Sequence, residues 1–398
     1  TEFSVNVKFA SIMPDYHAVV SSKLPDASTS IFAVMSKLST EEKAINLSQG
    51  YPDFPSSPEL IALVNKAMKE GFNQYAPMPG IYSLREAISD KIEMLYGTSY
   101  DPETEITVTA GATQAIYTII TSLVQKDDEV IIFAPAYDCY DPTIRLNGGK
   151  TVELELKAPD FKVNWEEVKA AISEKTKMII INTPHNPTGS VLSRQDMLTL
   201  QELVKDTKII ILSDEVYEHL IYDGLEHQSI ARFPGLAERS FLVASFGKTF
   251  HSTGWKMGYC AGPVALMKEF RKVHQFNVFS VNHPVQKALA TYLEDKEHYL
   301  SLPKFFQAKR DLFLDAIKDS KFSFTPSSGT YFQLLDFSGI SKESDLELAK
   351  KWTREQKLAS IPVSAFYNKR IDQKVLRFCF AKSDETLLRG AAILNAIE

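Results

Sequence analysis

The chain has 398 residues, of which 44% are hydrophobic and 24% charged, and its formal net charge is −6. This composition is that of a folded globular protein of about two or three domains, and it excludes disorder, collagen and coiled coil as the main architecture. An acidic chain lacks the basic surface of a dedicated nucleic-acid binder, and its longest aliphatic runs, such as residues 178–181, are far too short to span a membrane. We therefore expect no nucleic-acid partner and no membrane segment.

Cysteine and histidine usage argues against structural metal sites and disulfides. The three cysteines, Cys139, Cys260 and Cys379, are far apart and odd in number, so they form neither a disulfide framework nor a CxxC site. The eight histidines include no HExxH pair. Residues 1–5 do not resemble a secretory signal, although a processed chain would look the same. We expect a cytoplasmic protein without a bound metal.

The first fifty-odd residues are rich in loops and proline and cannot form a core of their own. We predict that residues 1–56 form an N-terminal segment that packs on a second, C-terminal domain.

Short aliphatic runs recur through the middle of the chain. They lie at residues 130–133, 178–181, 209–212, 241–245 and 257–261, and each predicts a strand buried on both faces. Leucines with helical spacing follow Ser193, which with Asp196 three residues on is typical of a helix start. Strands alternating with helices predict parallel βαβ units, with the ligand site at the carboxyl ends of the strands.

The residue pattern changes beyond about residue 287. Long charged segments at 294–318 and 343–357 predict helices, and residues 330–335 and 375–380 are candidate strands. We therefore predict an α/β protein with a large domain at 57–290 and a smaller α+β domain at 291–398.

Polar residues follow three of the predicted central strands. These stretches are Asn182–Gly189, Ser213–Tyr217 and Ser245–Lys248. Taken alone, the Asn-Pro-Thr-Gly stretch is explained as well by a simple turn as by a functional site. Asp214 alone is explained as well by a helix cap. Their coincidence at one predicted sheet edge favours a functional site. The Gly-Lys-Thr at 247–249 is not the end of a phosphate-binding P-loop, because position 242 is leucine rather than glycine.

These motifs, in this order and spacing, resemble the class I and II aminotransferases, pyridoxal-phosphate enzymes of fold type I. The stretches that carry the resemblance are Asn186-Pro187-Thr188-Gly189, Ser213–Tyr217 and Ser245–Gly258. Within the family, residues 46–54 and 279–282 resemble the branch of methionine aminotransferases and kynurenine aminotransferase/cysteine-conjugate β-lyases. The resemblance covers essentially the whole chain. It implies a mostly parallel seven-stranded sheet in the large domain, pyridoxal 5'-phosphate as the cofactor, and a homodimer with active sites at its interface.

The resemblance also assigns cofactor roles to individual residues. Lys248 matches the Schiff-base lysine and proton shuttle, and Asp214 matches the carboxylate on the pyridine nitrogen; with Tyr217, these are the expected catalytic residues. The other expected cofactor ligands are Asn186 and Tyr217 on the phenolic oxygen, Tyr137 on the ring face, Gly111, Ala112, Thr113, Ser245 and Lys256 on the phosphate, and Tyr75 of the other subunit on that same phosphate. Many relatives carry arginine where Lys256 stands, so this chain offers a point charge instead of a fork.

Substrate contacts follow from the same comparison. Arg377 is a charge inside an apolar strand-like run, where an unpaired cation would be costly, and it matches the arginine that binds the substrate α-carboxylate. The remaining expected substrate contacts are Gly50 and Asn186 near that carboxylate, and Phe32, Tyr51 and Phe279 around the side chain.

The resemblance therefore implies a ping-pong aminotransferase that moves the amino group of methionine, aromatic amino acids or kynurenine to a 2-oxo acid. Two alternatives remain open from the sequence. One is elimination on the same cofactor, as in cysteine-conjugate β-lyases. The other is a ligand-sensing regulator on the same fold, which would need a DNA-binding module; fewer than fifty residues precede Gly50 in this acidic chain.

Overall fold

The structure, a computed structural model, describes residues 21–398, so residues 1–20 of the predicted N-terminal segment lie outside it. The strands are, in chain order, β1 (Ile45–Asn46), β2 (Ile106–Thr109), β3 (Glu129–Ala134), β4 (Lys150–Glu155), β5 (Thr176–Asn182), β6 (Ile210–Asp214), β7 (Ser240–Ser245), β8 (Gly258–Ala261), β9 (Phe332–Asp336), β10 (Leu358–Ala359), β11 (Ile361–Pro362) and β12 (Val375–Cys379). The helices are α1 (Ile31–Glu41), α2 (Pro58–Lys69), α3 (Tyr82–Tyr96), α4 (Ala112–Leu123), α5 (Tyr140–Leu146), α6 (Trp165–Ala171), α7 (Arg194–Val204), α8 (Pro234–Ala237), α9 (Phe246–Thr249), α10 (Val264–Asn277), α11 (His283–Tyr292), α12 (Glu297–Leu300), α13 (Leu302–Ile317), α14 (Asp345–Glu355) and α15 (Asp384–Asn395).

A seven-stranded sheet with the order β2-β8-β7-β6-β5-β3-β4 forms the centre of the molecule. Every neighbouring pair from β7 to β4 is parallel, which confirms the predicted mostly parallel α/β sheet. Strand β8, which the run at 257–261 predicts, is antiparallel to both β7 and β2, so the sheet is mostly rather than entirely parallel. A short apolar run contains no information about strand direction, since either direction buries the same side chains.

Both faces of the sheet are covered, as its continuous aliphatic strands require. Along β5, Met178 and Ile180 belong to one buried cluster, and Ile179 and Ile181 belong to the other. The alternation follows from the two-residue period of a strand. Each fully buried aliphatic side chain stabilises the fold by about 1.5–3 kcal/mol relative to the same side chain exposed to water. Helices on both faces are therefore needed to shield the sheet from solvent.

A local signal begins α7 where the sequence predicts it. The Ser193 hydroxyl accepts a hydrogen bond from the Asp196 backbone N–H, and the Asp196 carboxylate accepts one from the Ser193 backbone N–H. This capping box confirms the predicted start of α7. The predicted continuous helix over residues 294–318 is wrong, because the structure divides it into α12 and α13 at Ser301. Pro303 stands in the first turn of α13, where its missing N–H costs nothing, but it cannot continue a preceding helix.

N-terminal residues pack on the C-terminal part of the chain. An antiparallel sheet with the order β11-β12-β9 forms there, and β1 pairs in parallel with β10 beside it. Helix α1 packs against α14. The predicted boundary between residues 290 and 291 falls in the last turn of α11, which packs against α2 and α3. The division into 1–56, 57–290 and 291–398 stays a prediction.

No helix among residues 21–398 combines the length and the apolar character needed to cross a lipid bilayer.

Gly189 closes the turn after β5, where the chain needs a conformation that other residues rarely adopt. Its φ is +72°, and a Cβ there would lie 2.5 Å from the Cβ of Ser327. We expect Gly189→Ala to lower the free energy of unfolding by about 3 kcal/mol, the sum of the left-handed penalty and the steric clash. Urea unfolding measures this value.

Gly224 provides a matched control for that substitution. Its φ is also +72°, but no atom lies within 4 Å of the added Cβ. Gly224→Ala should therefore show only the backbone penalty of about 1 kcal/mol. Equal losses for the two variants would show that the contact with Ser327 adds no steric cost.

Candidate active site

A cavity of about 260 Å³ lies at the carboxyl ends of the central strands. Strands β5, β6 and β7 are neighbours in the sheet, so their polar C-terminal extensions meet at one edge. The predicted site residues that line the cavity are Phe32, Gly50, Tyr51, Gly111, Ala112, Thr113, Tyr137, Asn186, Asp214, Tyr217, Ser245, Lys248, Lys256 and Arg377. Two predicted residues, Tyr75 and Phe279, do not line it.

Lys248 places its amine inside the cavity. Ser245 ends β7 and caps the one-turn helix α9 by accepting the Lys248 backbone N–H, which fixes the start of the side chain. The Nζ atom donates to the Gly50 carbonyl at 2.9 Å and lies 5.8 Å from the ring centre of Tyr217. Burial, with the nearby positive charge of Arg377 acting in the same direction, lowers the pKa of Lys248 to about 8. The amine is therefore more readily deprotonated, and so more nucleophilic at neutral pH, than an ordinary lysine.

Asp214 is a buried carboxylate at the end of β6. It is 3% exposed, and its Oδ2 accepts the hydroxyl of Tyr140 at 2.5 Å. Burial raises the pKa of Asp214 to about 6, and the hydrogen bonds from Tyr140 and from the Val216 N–H oppose that rise. A carboxylate so placed can hold a proton on a cationic ring nitrogen, because an opposite charge nearby favours the protonated base.

The N-terminus of α4 forms the anion-binding end of the cavity. Its N-cap is Gly111 with φ of +79°, and no side chain caps the first turn. The free backbone N–H groups and the helix dipole favour an anion there. The exposed Lys256 brings its Nζ to within 3.4 Å of the position that a Gly111 Cβ would take, so a point charge adjoins the helix end.

Arg377 is buried at 1% exposure in β12, and its guanidinium is only partly satisfied. One amino group donates to the Asn186 Oδ1 at 2.8 Å, and the other donates to the Ser48 carbonyl at 3.0 Å. The Nε atom has no hydrogen-bond partner. Burial lowers the pKa of Arg377 to about 10, so the group stays cationic at neutral pH. A cation with a buried, unpaired N–H beside a cavity is suited to a carboxylate.

Asn186 and Tyr217 are held from behind by the strand ends. The Asn186 backbone N–H donates to the Asn182 side chain at 2.8 Å, and Asn182 in turn donates to the Asp214 carbonyl. Tyr217 is 2% exposed and packs edge-on against Tyr331, with ring centres 5.2 Å apart. Burial raises the pKa of Tyr217, so its hydroxyl remains a neutral donor.

Aromatic side chains form the walls of the cavity. Tyr137 lies with its hydroxyl 3.2 Å from that of Thr113, which ties the ring to the first turn of α4. Phe32 packs edge-on against Phe366, and Tyr51 is 45% exposed at the opening. These walls favour an apolar or aromatic side chain in the ligand.

Tyr75 and Phe279 lie together on the surface, outside the cavity of their own chain. Tyr75 is 81% exposed and Phe279 is 47% exposed, and their ring centres are 5.4 Å apart. Their predicted roles therefore require the cavity of a second chain.

Several contacts in the cavity were not predicted from the sequence. Tyr140, three residues after Tyr137, bonds Asp214, and the spacing of the two tyrosines was a usable signal. Asn182 ends β5 and lines the cavity, and its place at the start of the polar stretch 182–189 was a usable signal. Phe332 lies with its ring centre 3.8 Å from the Arg377 guanidinium, and only the fold brings these two together.

Among residues 21–398, no group of three or more histidine, cysteine, aspartate or glutamate side chains is arranged to hold a metal ion.

Comparison with known proteins gives consistent matches along most of the chain. The sequence profile of the family described as aminotransferase class I and II matches residues 42–394. The methionine aminotransferase of Escherichia coli strain K12 is 46% identical over 377 residues, which cover 94% of this chain and 98% of that protein. Kynurenine–oxoglutarate transaminase 3 of Homo sapiens is 35% identical and covers 92% and 88% respectively. The crystal structure of YbdL from Escherichia coli, for which a methionine aminotransferase function was identified, superposes with a TM-score of 0.93 at 46% identity, covering 95% of this chain and 99% of that one.

Proposed function

This chain belongs to the class I and II aminotransferases, a family of pyridoxal-phosphate enzymes, and we propose that it moves the amino group of methionine, aromatic amino acids or kynurenine to a 2-oxo acid. The observation that carries the proposal is one cavity that holds a lysine amine, a buried carboxylate, an uncapped helix N-terminus and a half-satisfied arginine.

The residues of the cavity fit pyridoxal 5'-phosphate. Gly111, Ala112 and Thr113 would hold its phosphate through their backbone N–H groups, together with Ser245 and Lys256, because the helix end is uncapped and cationic. Bound pyridoxal phosphate supplies an electron sink for the bonds at the α-carbon of an amino acid.

The ring of the cofactor would be held on three sides. Asp214 would hold the ring nitrogen in its protonated form, Asn186 and Tyr217 would bond the phenolic oxygen, and Tyr137 would cover one face. Lys248 would hold the cofactor covalently, and its amine, once released, would carry a proton to and from the α-carbon. The pKa of about 8 supports this role, because the amine can take either form near neutral pH.

The substrate would be oriented by its α-carboxylate. Arg377 would bind it, with Asn186 and the backbone of Gly50 alongside. A Cβ on Gly50 would lie 2.9 Å from the ring of Phe332, so a larger residue would displace this part of the wall. Arg377 is the sole arginine of the described chain that lines the cavity, and this supports donors without a second carboxylate. Phe32 and Tyr51 would contact the side chain.

The absorbance of the bound cofactor tests this function directly. Protein loaded with pyridoxal phosphate is mixed with L-methionine, L-kynurenine or L-phenylalanine in the absence of an acceptor. We expect the visible absorbance to disappear and to return when a 2-oxo acid is added. L-Aspartate serves as the control donor and should leave the absorbance unchanged.

Two results would change the assignment. If no donor alters the absorbance, amino transfer is wrong. If a cysteine S-conjugate releases pyruvate and ammonia faster than any donor supports transfer, elimination is the main activity, since the same cofactor supports both reactions.

A second copy of this chain would cover an exposed aromatic surface formed by Tyr75, Phe276 and Phe279. Phe276 is 86% exposed, and it lies three residues before Phe279, whose ring contacts that of Tyr75. Apolar side chains so exposed are typical of an interface. We propose a homodimer in which Tyr75 of the partner subunit reaches the phosphate and Phe279 of the partner subunit lines the substrate pocket.

Phe276→Asp should weaken this dimer by about a hundredfold or more, because the interface would bury an unpaired charge. Analytical ultracentrifugation at graded concentrations measures the dissociation constant. Leu388→Asp is the control, since Leu388 is 48% exposed on α15 and adding a charge there should leave the assembly unchanged. A native protein that sediments as a monomer would contradict the proposal.

The proposed location is the cytoplasm. The three cysteines, all of which the structure leaves free, support a reducing compartment.

A further inference from the structure

The shortest hydrogen bond that Asp214 accepts comes from a residue with no assigned role. The hydroxyl of Tyr140 lies 2.5 Å from Oδ2, and both residues are 3% exposed. The other carboxylate oxygen, Oδ1, accepts only a long bond of 3.4 Å from the Val216 N–H. One oxygen is thus committed to Tyr140, and the other keeps the capacity to accept a further bond.

A buried carboxylate needs such a donor to stay ionised. Burial raises the pKa of Asp214, and the bond from Tyr140 acts against that rise. Burial and the nearby charge of Asp214 also hold the pKa of the Tyr140 phenol well above its usual value, so the phenol keeps its proton and donates it. In a dry site this charge-assisted bond is stronger than it would be in water.

Tyr140 also lies on the segment that carries the predicted ring-covering residue. It is the first residue of α5 and follows Tyr137 by three positions, and the two rings meet edge-on with centres 5.9 Å apart. The same short segment therefore contacts both the cavity wall and the carboxylate behind it.

We propose that Tyr140 is a positioning residue, which fixes the Asp214 carboxylate in its ionised form through Oδ2 and so directs Oδ1 to the ring nitrogen of pyridoxal phosphate. The proposal rests on the proposed function, because it requires that cofactor in this cavity.

The test compares two ligands and one substitution. Tyr140→Phe removes the hydroxyl and keeps the ring. The cofactor is removed, and the protein is titrated with pyridoxal phosphate or with its analogue in which C–H replaces the ring nitrogen, using protein fluorescence. We expect Tyr140→Phe to weaken pyridoxal phosphate binding about tenfold and to leave analogue binding unchanged, because the analogue offers Asp214 no nitrogen.

Tyr96→Phe is the matched control. It removes a buried tyrosine hydroxyl that also donates to a carboxylate, that of Glu218, but this carboxylate lies outside the cavity and keeps its bond to Lys91. We expect it to change the affinity for neither ligand. Thermal unfolding of both variants shows whether they fold equally well.

Every outcome of the titrations decides the matter. Unchanged binding of both ligands in Tyr140→Phe overturns the proposal, and so does equal weakening of both, which would show a merely structural role. A native protein that does not bind pyridoxal phosphate at all overturns the proposed function instead.

A second comparison uses Asp214→Asn, in which the buried charge is already absent. Adding Tyr140→Phe to that variant should weaken pyridoxal phosphate binding by less than twofold, because the hydroxyl acts through the charge that is gone. A full tenfold loss in this background would also overturn the proposal, and this comparison remains available if the single variant folds poorly.

Discussion

Lys248→Ala is expected to lower the rate of repeated amino transfer by about 10⁴-fold or more, because it removes both the covalent attachment and the proton carrier. The side chain is the amine that the structure places in the cavity between Gly50 and Tyr217, and burial lowers its pKa to about 8. Steady-state rates with L-methionine and a 2-oxo acid measure the loss.

Two controls separate a missing amine from a damaged fold. Lys248→Arg keeps a positive charge but is a poor nucleophile and base, so it should be as inactive as the alanine variant. Ethylamine added to Lys248→Ala should restore part of the activity, since the truncated side chain leaves room for it. Turnover above about a hundredth of the native rate in the alanine variant, without added amine, would contradict the assignment of Lys248.

Arg377→Lys is expected to lower kcat/KM for methionine by about a hundredfold, mainly through KM. The arginine is held by Asn186 and Ser48, and its Nε is left without a partner. A lysine offers one charge and cannot present two parallel N–H groups to a carboxylate. Its ammonium would also lose the close contact that the guanidinium makes with Phe332, 3.8 Å from the ring centre.

An inhibitor shows whether the loss concerns the carboxylate. 4-(Methylthio)butanoate has the carbon chain, the thioether and the carboxylate of methionine but no amine. Its inhibition constant should rise in Arg377→Lys by a factor similar to that of KM, whereas the affinity for pyridoxal phosphate should stay within twofold of the native value. An unchanged inhibition constant would show that Arg377 does not bind the carboxylate.

The central part of the site could be predicted from the sequence for a physical reason. Aliphatic runs long enough for buried strands end in polar residues, and adjacent parallel strands bring these ends to one edge. This accounts for Asn186, Asp214 and Lys248. Their chemical roles came from the family resemblance, because strand ends alone do not distinguish a catalytic carboxylate from a helix cap.

Other parts of the site depend on contacts between distant segments and could not be predicted from periodicity. Gly111 enters the site because β8 lies between β2 and β7, and the order of strands in a sheet is not encoded in any one strand. Phe332 lies within a predicted strand, but its contact with Arg377 depends on the register of β9 against β12. The antiparallel direction of β8 depends on the same long-range order of strands.

The roles of Tyr75 and Phe279 depend on a second chain and stay predictions. Within one chain both are exposed and outside the cavity. Sequence patterns report which side chains are apolar, but they do not report what covers them.

The pairing of β1 with β10 determines the order in which this protein can be completed during synthesis. Ile45 pairs with Leu358, and the Leu47 carbonyl accepts the backbone N–H of Cys379, so this N-terminal stretch waits for residues that are made much later. The seven-stranded sheet, by contrast, uses only residues 106–261 and can form while the ribosome is still adding the rest. Because Arg377 donates to the Ser48 carbonyl across the same late junction, a nascent chain can build the lysine and aspartate end of its cavity well before it can bind an amino acid by the carboxylate.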